Sequence, residues 1–125
     1  MIHFTIVEKK KPGTQDFKFY GQIVQTGVVG IRELCQLIAD KCTLTPADVL
    51  ATLNALQTEI INQLKQGNSV RMGDLGSFRP TLSSEGATSA DAWAVSMIKK
   101  VRAVYTPSAE IKHQLSPKRC AFAKA

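Results

Sequence analysis

The stretch VRMGDLGSFRP, residues 70–80, sets two glycines three apart, Gly73 and Gly76, inside an otherwise strand-like run. Glycines beside a basic residue can cradle a phosphate, because their backbone N–H groups approach an anion unobstructed. A nucleotide-binding loop of that kind needs GxxxxGK[ST], which is absent. The GxxG loop of a nucleic-acid clamp joins two helices, whereas this one lies between two strand-like runs and carries Asp74, which repels phosphate. The structural reading remains: glycines at a strand-to-strand connection supply positive φ or a bulge, and Phe78 projects toward the core from the second strand.

Other reactive residues are scattered. His3 and His113 are far apart and neither has metal-ligand spacing, and no Ser, Cys or Asp sits in a nucleophile-elbow context. We expect no enzyme, cofactor, metal or small-molecule substrate. The three cysteines, Cys35, Cys42 and Cys120, are odd in number and form no CxxC. Cys35 and Cys42 are two helical turns apart and read as two small buried hydrophobes on one face.

The chain has 125 residues, 44% hydrophobic and 21% charged, which suits one domain with terminal extensions. No apolar run is long enough for a transmembrane helix, and the N-terminal charges follow the apolar part, the wrong order for a signal peptide. We therefore expect a soluble, intracellular protein. The formal net charge of +6 is uneven. Residues 99–125 hold seven basic residues and one acidic, against five and seven over residues 31–98. A basic end on a near-neutral body points to a polyanion partner.

The elements that must position these charges follow from periodicity. Ile2, Phe4 and Ile6 alternate with His3, Thr5 and Val7, a period-2 strand over residues 2–11. The aromatic run DFKFYGQIV, 16–24, is a second strand, with Pro12-Gly13 at the hairpin turn. Ile31, Leu34, Cys35, Ile38 and Cys42 predict an amphipathic helix over 31–42. Thr45 as N-cap, Pro46 at N1 and Asp48 at N3 open a second helix over about 46–65, ended by Gly67 at C′. The short connection makes the two helices an antiparallel hairpin. SVRM, GSFRPTL and VSMIKKVRAVY read as strands, the last two separated by a loop, 83–92, with no apolar anchor. A last helix over 106–115 has Thr106 as N-cap and Pro107 at N1. The tail, 116–125, is small, basic and frayed.

In this order the elements resemble the HU/IHF family of histone-like DNA-binding proteins. The residues that carry the resemblance are Leu34, Leu44 to Val49, Gly67, Val70, Gly76, Ser77 and Phe78, followed by Tyr105, Pro107, Glu110, Ile111 and Lys112, similar to that family's FxPGxxLK ending. The resemblance covers roughly residues 28–115. Residues 1–27 then form an N-terminal β extension, like that of an HU-related subfamily from bacteria, and 116–125 a basic C-terminal tail. The resemblance implies an α+β, IHF-like DNA-binding fold: a helical-hairpin base plus a β-saddle with an arm, in an intertwined homodimer. The broad apolar stripe from Val49 to Leu64 independently exceeds what one short helix covers.

It also implies a nucleoid protein of the cytoplasm that binds DNA through the phosphate backbone on the minor-groove side. The DNA-binding residues are then Arg79, Lys99, Lys100, Arg102 and Lys112, with Lys9, Lys10 and Lys11 as a second group. The N-terminus of the helix near Thr106–Ser108 could add N–H donors to phosphate. This chain departs from the family pattern. The loop 83–92 has no arginine and no proline, and it carries Glu85 and Asp91. Thr106 and Ala109 stand where the family is basic. Pro80 is not at the tip and reads as a strand-edge residue. Trp93 reads as packing the arm base. An HU-fold scaffold or assembly module with little DNA affinity therefore stays open as an alternative, favoured by the arm composition.

Overall fold

A computed structural model describes residues 1–125. It is an α+β protein of six strands and three helices. β1 (Ile2–Lys10) and β2 (Phe17–Val24) form the expected antiparallel hairpin, with Gly13 at φ 78° in the turn. An exposed linker, 25–30, leads to α1 (Ile31–Ala39) and α2 (Pro46–Lys65). β3 (Val70–Arg71), β4 (Gly76–Ser84) and β5 (Ile98–Pro107) follow, then α3 (Ala109–Gln114) and β6 (Phe122–Lys124). No helix is long and apolar enough to cross a membrane.

The second helix forms as its sequence dictates. The Thr45 hydroxyl accepts from the Asp48 backbone N–H, and the Asp48 carboxylate accepts from the Thr45 N–H. That reciprocal box satisfies two of the N–H groups a helix start leaves free. Gly67, at φ 86°, ends the helix.

α1 is shorter than expected. It stops at Ala39, so Cys42 lies beyond it and is exposed, while Cys35 is buried. Only Cys35, Val49 and Gly76 are buried in the whole chain. Cys35 and Val49 mark where α1 packs on α2. Leu34, Leu37, Ile38, Leu44, Leu56 and Ile61 remain exposed.

Two three-stranded sheets complete the fold, ordered β2-β1-β6 and β3-β4-β5. The tail is not frayed at its end: Phe122–Lys124 pairs in parallel with Ile2–Phe4, so the chain's two ends share one sheet. In the second sheet β3 reaches only Ser77 and Phe78 of β4. Beyond them that edge of β4 is open, and Pro80 loses no ladder bond there. The last helix starts later than its sequence suggests. Thr106 and Pro107 remain in β5, paired with Ser77 and Gly76, and Ser108 is the N-cap, its hydroxyl accepting from the Ile111 N–H. The first free donor at that end is thus already taken, and α3, six residues long, offers no anion site of its own.

Candidate nucleic-acid interface

The GDLG segment is a tight 3-10 turn between β3 and β4, spanning Gly73–Leu75. Gly73 sits at φ 58° and Gly76 at φ 124°, conformations that glycine adopts without steric cost. A Cβ at Gly76 would overlap the Thr106 carbonyl oxygen. The Met72 N–H donates to the Gly76 carbonyl at 2.7 Å, closing the turn. The Ser108 hydroxyl donates to the Asp74 carbonyl, tying α3 to it. The turn sets the register of the sheet and holds no ligand geometry of its own.

That register sorts the basic side chains. Residues directly opposite each other in an antiparallel ladder share a face, and each strand alternates faces. Phe78 with Tyr105, Pro80 with Ala103 and Leu82 with Val101 make one face apolar, and the Phe78 and Tyr105 rings lie 5.4 Å apart. The opposite face carries Arg79 beside Val104, Thr81 beside Arg102, and Ser83 beside Lys100. One row below, Arg71 of β3 stands beside Ser77, which stands beside Thr106. Arg71, Arg79, Arg102 and Lys100 thus occupy four successive rows of one face. The rows advance about 7 Å each, two residues at the strand rise. Two base-pair steps of duplex DNA span about the same length.

Arg71 was missed in the sequence. Nothing local marks it, since a single arginine in a two-residue strand has no periodic partner, and only the β3–β4 register puts it with the others. It lines a concavity of about 240 Å³ with Ser77, Thr106, Ser108 and the Gly73 and Gly76 backbone. Arg71 supplies a cation in the row where Thr106 replaces the basic residue that family resemblance leads one to expect.

The remaining expected residues divide. Ser83 pairs with Lys100 and Ser84 with Ile98, so Lys99 is the extra residue of a β-bulge and stands outside the rows. Lys112 is exposed in the last turn of α3, off the ladder. Lys9, Lys10 and Lys11 lie at the far end of the other sheet, around the β1–β2 turn, together with Lys18. Beyond the ribbon, the connection 85–97 folds back on itself. The Glu85 N–H donates to the Met97 carbonyl at 2.9 Å, and the Trp93 indole N–H donates to the Ser84 hydroxyl at 3.3 Å. Trp93, itself exposed, ties the connection to the strand end through this bond. No three His, Cys, Asp or Glu residues are grouped to hold a metal ion.

No curated protein matches the chain. A solved structure described as a "Putative bacterial DNA binding protein" from Bacteroides vulgatus ATCC 8482 superposes with a TM-score of 0.65 at 14% identity. The match covers 98% of this chain and 47% of that one, so the chain spans about half the length of this neighbour. At that identity the likeness shows the fold. A family model described as "HU domain fused to wHTH, Ig, or Glycine-rich motif" matches residues 1–122, taking in both N-terminal strands as well as the helices and the second sheet. The chain belongs to the HU-HIG family.

Proposed function

We propose that this protein binds duplex DNA through its phosphate backbone, without reading base sequence, as a homodimeric architectural protein of the nucleoid. The observation that carries the reading is the row of Arg71, Arg79, Arg102 and Lys100 on one face of the second sheet. Lys99 and Lys112 flank it. Cations repeated along an extended face neutralise successive phosphates and release counterions, a term that is strong and indifferent to sequence. The organisation we propose has an HU-like unit over 28–115, a β extension over 1–27 and a basic tail over 116–125 whose last strand joins that extension.

The homodimer is supported by surface area. A compact monomer of 13.6 kDa exposes about 6,600 Å². This chain exposes 10244 Å². The excess is large enough to supply one side of an obligate interface, which buries about 2,000–5,000 Å² in total. The exposed leucines and isoleucines of α1 and α2 are the surface such a partner would cover. In the dimer the paired β4–β5 ribbons would form the arms of a saddle approaching the minor-groove side of DNA.

One observation favours a second reading, that of a scaffold: the connection 85–97 carries Glu85 and Asp91 and no basic residue, where a DNA-embracing tip needs cations. An electrophoretic shift with random-sequence duplex separates the two. A dimer that neutralises about eight phosphates has a log–log salt slope near −7, so affinity should fall by about 10⁴-fold between 50 and 200 mM salt. No shift at 50 mM would leave the scaffold reading.

A further inference from the structure

The β1–β2 hairpin end has no role in the reading above, yet it concentrates charge in an unusual way. Lys9 and Lys18 are directly opposite in the ladder. Like charges in that position repel, so the pair costs stability unless an anion sits between them. Lys10 and Lys11 follow immediately, and the Lys10 ammonium lies 5.9 Å from the centre of the Phe17 ring. Lys9, Lys10, Lys11, Lys18 and Tyr20 line an open cleft of about 730 Å³, in which Asp16 is the one acid. All four lysines are exposed.

The cluster also lies at the turn end of its own sheet. The other end of this sheet holds β6, at Ile2–Phe4, and feeds the linker from Val24. From His3 to Lys9 is six residues of strand, about 20 Å. That exceeds twice the screening length of about 8 Å at physiological salt. No element of the first sheet packs extensively on the helices or on the second sheet. The two basic patches thus belong to sheets that do not pack extensively on one another.

We infer that the hairpin end is a second phosphate-backbone grip, and that through it the protein holds a second DNA duplex beside the one on the β4–β5 face. The inference rests on the DNA-binding reading of that face. Lys9 and Lys18 clasp a phosphate between the strands, Lys11 just beyond them holds its neighbour, and the repulsion between the pair is relieved on binding. The protein then tethers two duplexes, a role distinct from coating one.

The test uses the full chain. A biotinylated 20-base-pair duplex is immobilised, protein is bound, and a fluorescent duplex of another sequence is added. Wild type should capture the second duplex. In the variant K9E/K11E, the carboxylate introduced at position 9 faces Lys18, so the ladder gains an attractive pair and the fold should melt no lower than wild type. That variant should capture at least tenfold less of the second duplex per protein molecule held on the first, while K9R keeps full capture. Equal capture by K9E/K11E, or binding of one duplex by wild type with no capture, overturns the second grip and leaves the first intact. A variant whose affinity for the immobilised duplex falls in proportion to its capture places both patches on one duplex and also overturns it. Failure of wild type to bind the immobilised duplex would sink the DNA reading itself, and this inference with it.

Discussion

The Tyr105 hydroxyl donates to the Leu75 carbonyl oxygen at 2.6 Å, thirty residues away in sequence. This bond fastens the turn between β3 and β4 to the strand on the far side of the sheet, while the ring packs beside Phe78. Tyr105→Phe keeps the ring and removes the bond. The loss should be about 0.5–1.5 kcal/mol, toward the low end because the site is partly exposed. Thermal melting of the variant against wild type, lower by a few degrees, would check it.

Gly76→Ala should cost more than Gly67→Ala. Both glycines have positive φ, but a Cβ at Gly67 meets open space, whereas at Gly76 it meets the Thr106 carbonyl. Strain alone accounts for about 1 kcal/mol at Gly67. At Gly76 the strands must also part, so we expect about 3 kcal/mol. Denaturant midpoints of the two variants give the comparison, and equal midpoints would mean that β4 and β5 are less closely apposed.

Sedimentation at micromolar concentration should give a species of twice 13.6 kDa. The helical hairpin was legible in the sequence because its signals are local: Thr45, Pro46 and Asp48 specify the start of α2 within four residues. Its oligomeric demand is legible only in part, since an apolar stripe says that something covers it and not how much one chain covers by itself. A monomer at that concentration would contradict the area argument.

Replacing Lys100, Arg102 and Arg79 with alanine should weaken binding to all duplex sequences alike. The log–log salt slope should flatten by about 0.9 for each phosphate no longer neutralised. Lys99→Ala should change it less, because the bulge takes Lys99 out of the row. The alternation of Val101, Ala103 and Tyr105 with Arg102 was readable from sequence, but the bulge was not. A bulge is a property of two strands in register, and neither strand shows it by itself. The same limit hid Arg71 from sequence and made Thr106 look like a helix cap. Thr106 and Ser108 flank Pro107 symmetrically as hydroxyl residues, and the ladder with Ser77 decides which of them is free to cap.

Bound DNA should be little bent. Strong bending in architectural proteins is driven by an apolar wedge inserted between base steps, offset by the surface that the wrapped DNA covers. Here the connection beyond the ribbon has Glu85 and Asp91, no proline, and is folded back by the Trp93–Ser84 bond. Without cations or a wedge in that connection, nothing there offsets an elastic cost of about 1–6 kcal/mol. Energy transfer between dyes at the ends of a fragment of about 30 base pairs should change little on binding. Marked shortening would show that the connection opens and enters the groove.

The pairing of Phe122–Lys124 with Ile2–Phe4 has a consequence for synthesis. β1 and β2 can pair as soon as both have left the ribosome, but the strand that covers the other edge of β1 is translated much later. Nearly a hundred residues separate Val24 from Phe122. At about 5–20 residues per second, that edge stays open for about 5–20 s. An uncovered strand edge is a template for any neighbouring chain. The hazard of mispairing at Ile2–Phe4 is therefore timed by translation rather than by the intrinsic folding rate, and slow codons between α2 and β6 would lengthen it.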